Sequence, residues 1–165
     1  MKKILLAAIA LAATPALAQP VPTILGNPTA PEASAPRPDR GHGIPTALAI
    51  EAANVANDTC KANGNITTTI VTDVEGEPIV VISNDGAKAI TQRIAQSKAM
   101  IALAAKGPSN GAKVDAALGV ARPGGFPLMA GTTLVGAIGV SGSPAGTADE
   151  VCAKAAIAKI QDRVK

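Results

Sequence analysis

The apolar positions of this chain change period several times, and each change marks an element. From Ile44 onward Leu48, Ala52, Val55, Ala56 and Thr59 recur at the spacing of one helical face, which predicts a first helix ended by Gly64. Residues 66–73 then alternate, Ile66, Thr68 and Ile70 against Thr67, Thr69 and Val71. A polar link at 74–77 leads to a second apolar run at 78–83, so the two runs predict a β-hairpin. Asn84, Asp85 and Gly86 make a tight turn before an alanine-rich helix that stops at Gly107 and Pro108; its expected apolar face holds Ile90, Ile94, Ile101 and Leu103 or Ala104. Residues 109–123 read as a connection with a short helical turn, from the spacing of Val114, Ala117, Leu118 and Ala121. A strand at 126–129, a turn near Gly131 and a strand at 134–140 follow. The last helix begins at Thr147, where Thr147 and Glu150 suit a capping box and Asp149 suits the helix dipole, with Ile157, Ile160 and Val164 buried.

The most heavily punctuated stretch is GGFPLMAGTTLVGAIGVSG, residues 124–142. Gly136 and Gly139 interrupt its apolar strand. A glycine inside a strand lets another backbone or a flat ligand come close, so the stretch reads equally as a bulged core strand or as a binding surface.

Before Ile44 there is no apolar period. Lys2 and Lys3 precede an apolar run ending in Ala16, Leu17 and Ala18, the pattern of a secretory signal peptide at 1–18 with the mature chain starting at Gln19. The run is too short to span a bilayer, so the expectation is a soluble, periplasmic or secreted protein. Residues 19–43 are proline-rich and are expected to form a disordered arm ending at His42, the only histidine. Such a histidine is ordinarily solvated, although a mobile arm would let it reach a metal or haem iron.

Charge changes the picture little. Without Lys2 and Lys3 the formal charge falls from +3 to +1, and Phe126 is the only aromatic residue. Neither a basic footprint nor stacking platforms exist for nucleic acid, and nothing marks a membrane surface. No nucleophile and base come together in the sequence, so no catalytic residue is assigned. Asp73, Asp85 and Asp149 sit at turn or helix-start positions where carboxylates ordinarily serve structure. Lys98, amid apolar neighbours in the long helix, either meets a propionate or substrate carboxylate or snorkels to solvent. Met100 and Met129 are soft-ligand candidates for haem iron whose ordinary role is core filling.

The pieces TIVTDVEGEPIVV, NDGA, SKA, GGFPL and VGAIGVSG, with Asp149 after them, stand in the order found in the GlcG/HbpS-type haem-binding proteins, which the chain resembles from Ile44 to the C-terminus. The resemblance implies an α+β single domain at 44–165, an antiparallel sheet flanked by helices in the profilin-like manner, assembling as a homo-oligomer. It also implies haem as the cofactor. The two glycine-rich stretches GGFPL and VGAIGVSG are expected to line the ligand site through Gly124, Gly125, Phe126, Pro127 and Gly139, with Lys98 the candidate partner of a ligand carboxylate. NDGA departs from relatives that carry arginine and methionine before Asp-Gly-Ala, so no iron ligand is carried over; His42, Met100 and Met129 remain the candidates. Two other functions stay open: an accessory protein or enzyme for a small hydroxy acid, and a structural or signalling interaction module. Cys60 and Cys152 are the only cysteines. Export permits a disulfide, and if the terminal helices pack antiparallel, as the resemblance implies, the end of one faces the start of the other; two buried thiols are the alternative.

Overall fold

The computed structural model describes residues 41–165. The expected signal peptide, and the arm apart from its last three residues, lie outside the described residues.

Helix α1, Thr46–Ala62, starts behind Pro45, whose carbonyl accepts from the amides of Leu48 and Ala49 at 2.9 and 3.0 Å. Strands β1, Thr68–Thr72, and β2, Pro78–Ser83, form the expected antiparallel hairpin. Helix α2, Ala89–Ala105, follows, then a single 3-10 turn at Ala116–Leu118. Strands β3, Gly125–Ala130, and β4, Thr133–Ser141, form a second antiparallel hairpin, and helix α3, Thr147–Ile160, continues into a 3-10 turn at Gln161–Arg163. The sheet order is β2-β1-β4-β3, antiparallel throughout, because β4 also pairs with β1. This is the α+β arrangement expected.

All five residues of β1 are buried, so its alternation does not separate core from solvent. Helices cover both faces of the sheet. On one, α1 and α3 pack Ala52, Ala56, Ala156 and Ile160 against Val71, Leu128, Ile138 and Val140. On the other, α2 packs Ala99, Ala102 and Leu103 against Ala137.

The buried face of α2 differs from the expected one. Ile90 is 52 % exposed, while Thr91, Ala95, Lys98, Ala99 and Ala102 are buried beside Ile101 and Leu103. The glycines below explain the difference. A Cβ on Gly139 would collide with the Ala95 carbonyl and lie 3.0 Å from the Ala99 amide, and one on Gly125 would collide with the Lys98 carbonyl. With no side chain between them, helix and strand approach closely, and only small residues fit in the seam. Gly136 has a different role. Its φ is +148°, and the β3–β4 register shifts beside it between Leu128 and Met129, which is a bulge.

The Thr147–Glu150 capping box does not form. Gly146 is the N-cap of α3, Thr147 is already helical, and Glu150 pairs instead with Lys154 at 2.6 Å. Asp149 is in the first turn as expected but is buried, with consequences described below. At the other end Ile160 is buried and Val164 buries beyond the helix, while Arg163 makes a two-pronged contact with Glu51 on α1 at 2.7 and 2.8 Å.

Cys60 and Cys152 are joined by a disulfide, with Cα atoms 5.5 Å apart, so the end of α1 meets the start of α3 as anticipated. Buried Asn57 adds a polar anchor on α1. Its Oδ1 accepts from the hydroxyls of Thr67 and Thr69 at 3.1 and 2.7 Å, and its Nδ2 donates to the Ile82 carbonyl at 3.0 Å. Every donor and acceptor of that set lies in or beside the first hairpin, so it fixes α1 over β1 and β2.

Candidate functional site

Among the described residues, a polar and an apolar cavity lie at opposite ends of the sheet. The first opens where β4 ends, between α2, the segment before β3 and the start of α3. Its volume is about 380 Å³, and its chemistry comes from Lys98, Arg122, Ser141, Ser143 and Asp149.

Lys98 reaches this cavity because α2 turns its small face to the sheet. It neither snorkels to solvent nor stands free. At 2 % exposure its Nζ donates to Asp149 Oδ2 and to the Val140 carbonyl, both at 2.7 Å. Asp149 Oδ1 accepts from the Ser143 amide at 2.9 Å, so this carboxylate ties α3 to both α2 and the preceding loop. Burial pushes the Lys98 ammonium below the usual lysine range. The hydrogen bond and charge of Asp149 oppose that shift, and the nearby charge of Arg122 adds to it.

Gly124 closes the wall over this pair. Its φ is +114°, and a Cβ there would lie 2.7 Å from the Val140 carbonyl oxygen, 2.8 Å from Asp149 Cβ and 3.1 Å from Lys98 Nζ. The adjoining turn is held by Ser109, whose hydroxyl donates to the Arg122 carbonyl at 2.6 Å and accepts from the Gly125 amide at 2.9 Å.

The ligand-site residues expected from sequence thus divide. Lys98 and Gly124 come together beside the first cavity; Gly125 is next to them but lies under α2. Gly139 is also covered by α2, so its openness serves the chain's own backbone. Phe126 turns to the opposite face of the sheet, packs on the α1–α3 core and carries Lys154 Nζ 5.5 Å from its ring centroid. Pro127 is half-buried on the outermost strand, β3. Arg122, Ser109 and Ser141 were not picked out from the sequence. The first two sit in an aperiodic connection, and Ser141 shows only as a polar residue ending an apolar strand.

The second cavity, about 670 Å³, is mostly apolar. His42, Val74, Ala130, Leu134, Val135 and Lys165 line it, so it joins both hairpin turns to the two ends of the domain. The His42 carbonyl accepts from the Val74 amide at 2.9 Å, which anchors the last arm residues to the first hairpin. His42 is exposed but held by its backbone, not adrift in a linker. The two methionine candidates are elsewhere. Met100 is half-buried beside Gly76 and packs on the cluster of Ala99, Ala102, Leu103 and Ala137, and Met129 is half-buried on β3, its carbonyl accepting from Gln161 Nε2 at 2.9 Å. Among the described residues no three His, Cys, Asp or Glu side chains cluster to hold a bare metal ion, and no helix is long and apolar enough to cross a membrane.

A four-stranded antiparallel sheet between a pair of helices and a single long one defines an α+β class shared with several solved structures. A double mutant of Streptomyces reticuli HbpS superposes with a TM-score of 0.66 at 27 % identity, over 77 % of this chain and 97 % of that one. Klebsiella pneumoniae protein ORFY matches with a TM-score of 0.66 at 19 % identity, over 79 % of this chain and 99 % of its own. A PduOC:heme complex matches with a TM-score of 0.63 at 21 % identity, over 70 % of this chain and 94 % of that one. A search of curated proteins gives no significant match. Residues 44–158 match the family model described as "Haem degrading protein HbpS-like". The chain belongs to this HbpS-like family.

Proposed function

We propose that this chain is an exported protein that binds or handles haem. The observation that carries the reading is the second cavity: an apolar hollow with the chain's only histidine at its rim, in a member of a family named for haem degradation. The residues suit the group. Leu134, Val135, Val74 and Ala130 offer apolar contact to a macrocycle, the His42 imidazole is a good iron ligand, and the Lys165 ammonium suits a propionate. His42 lies outside the family-matched residues 44–158, so this ligand would be a property of this chain. When bound, haem supplies the iron chemistry; the chain supplies the imidazole, the apolar wall and a counter-charge. The HbpS structures and the PduOC:heme complex add that this fold accommodates proteins named for haem.

Haemin titrated into the purified chain should give a saturable Soret band. In His42→Ala the band should shift and weaken. The absence of any saturable band would refute haem binding, and an unchanged spectrum in His42→Ala would refute the ligand. Export rests on the pattern of residues 1–18, and the protein recovered from the periplasm or medium should have a mass beginning at Gln19.

A further inference from the structure

The first cavity has no part in that reading. The strands separate it from the His42 cavity by the length of β4, about 27 Å for its nine residues at the ~3.4 Å rise of an antiparallel strand. We propose that it is a binding site for a small free carboxylic acid, with the carboxylate held between Arg122 and Lys98 and a second oxygen of the ligand on the Ser141 hydroxyl.

Three observations carry this. The charges facing the cavity are Lys98, Arg122 and Asp149, and one negative group cannot balance two positive ones. Asp149 is committed to Lys98 and to the Ser143 amide, whereas Arg122 makes no ion pair among the described residues. The cavity is therefore left with an uncompensated guanidinium, the fork-shaped donor that matches a carboxylate best. Second, Lys98 Nζ has three donors and uses two, on Asp149 and Val140, which leaves one for a ligand. Third, Ser141 is 4 % exposed and lines the cavity, yet its hydroxyl makes no hydrogen bond among the described residues. It follows Gly139 and Val140 on β4 and so points to the α2 side, where Lys98 and Thr91 are. An unpartnered hydroxyl that opens onto the cavity can both donate to and accept from a ligand oxygen there. A second anion would also relieve the repulsion between Arg122 and Lys98.

Volume selects the ligand class. About 380 Å³ admits an acid of a few carbon atoms and leaves no room for a macrocycle, while a ligand oxygen beyond the carboxylate is what Ser141 would recognise. The same chemistry would also meet a haem propionate, so the test separates the two sources.

Glycolate, acetate, inorganic phosphate and chloride are titrated into the haem-free chain and followed by amide NMR. Glycolate should produce saturable shifts at Ser141, Gly142 and Ser143. Arg122→Gln should weaken glycolate roughly ten- to hundredfold, as expected for the loss of a charge-assisted contact. Ser141→Ala should weaken glycolate but leave acetate unchanged. Arg122 is exposed and Ser141→Ala removes only an unpartnered oxygen, so both variants should fold, and their spectra would show it. No saturable shift with glycolate, or equal binding of chloride or phosphate, would overturn the proposal. Haemin is then titrated with glycolate present at saturation. An unchanged haem affinity is expected; competition would mean that the carboxylate belongs to a haem propionate and would overturn the free-acid assignment. Because glycolate is tested without haem, failure of the haem reading leaves this result intact, and the reverse also holds.

Discussion

Lys98 and Asp149 are the residues on which most of this domain's polar organisation converges, since the pair links α2, the end of β4 and the start of α3. Removing one partner leaves the other charged and buried. Lys98→Met or Asp149→Asn should therefore destabilise the fold by roughly 3–5 kcal/mol, and the double substitution Lys98→Met with Asp149→Leu should recover much of that loss, as measured by urea unfolding. Acidity gives an independent check. Burial lowers the folded Lys98 below its ordinary value, so between those two values the unfolded chain holds more protons at this site than the folded one. The stability contributed at Lys98 consequently rises with pH through that alkaline window, and its desolvation penalty is constant below it. The difference in unfolding free energy between the native chain and Lys98→Met should grow toward alkaline pH; a constant difference would contradict the shift. At this scale the sequence was only partly legible. An unusual lysine at 98 and an aspartate at 149 each stood out, but their pairing spans 51 residues and depends on the glycine-permitted approach of α2. Arg122, in an aperiodic loop, carried no local signal.

Among the elements, α2 and β4 are fitted to each other by what they lack. Gly139 faces the backbone of α2 at Ala95 and Ala99, so even Gly139→Ala should force the helix away and cost about 1–3 kcal/mol, seen as a lower thermal midpoint and altered amide shifts along both elements. Bulkier Gly139→Val should lose fold and ligand binding together. Loss of binding alone, with the thermal transition intact, would instead mark a glycine that serves ligand access. The two hairpins and three helices were readable because each has its own period or turn residues. The buried face of α2 was not, because reading a face from large apolar side chains assumes that large side chains fill the contact. Here Ala95, Ala99 and Ala102 fill it, and Ile90 points outward. The start of α3 illustrates a milder limit. Thr147 and Glu150 have capping-box spacing, but Gly146, with φ of +70°, takes the N-cap and shifts the frame by one residue.

For the whole molecule, the disulfide closes a loop with a sequence separation of 92 residues around a core with one aromatic side chain. Reduction should lower stability by roughly 4–5 kcal/mol in the chain-entropy description, read as a drop in the urea midpoint with reductant, and thiol titration of the denatured, unreduced chain should find no free thiol. Ile50, Ile66, Val81, Ile90, Val120 and Val151 remain exposed on the isolated chain. A homo-oligomer should cover some of them, so light scattering at micromolar concentration should give a multiple of the chain mass; a monomer mass would refute that assembly.

The same bridge also imposes a timetable on the chain. Cys60 is made early and waits for Cys152, which is added only after a sequence separation of 92 residues. Between those moments the new chain carries one reactive thiol and no correct partner within itself. Any bond formed early must be to another molecule and must later be exchanged. A cell making this protein quickly under oxidising conditions should therefore accumulate mixed disulfides through Cys60, and Cys152→Ser should make that accumulation permanent.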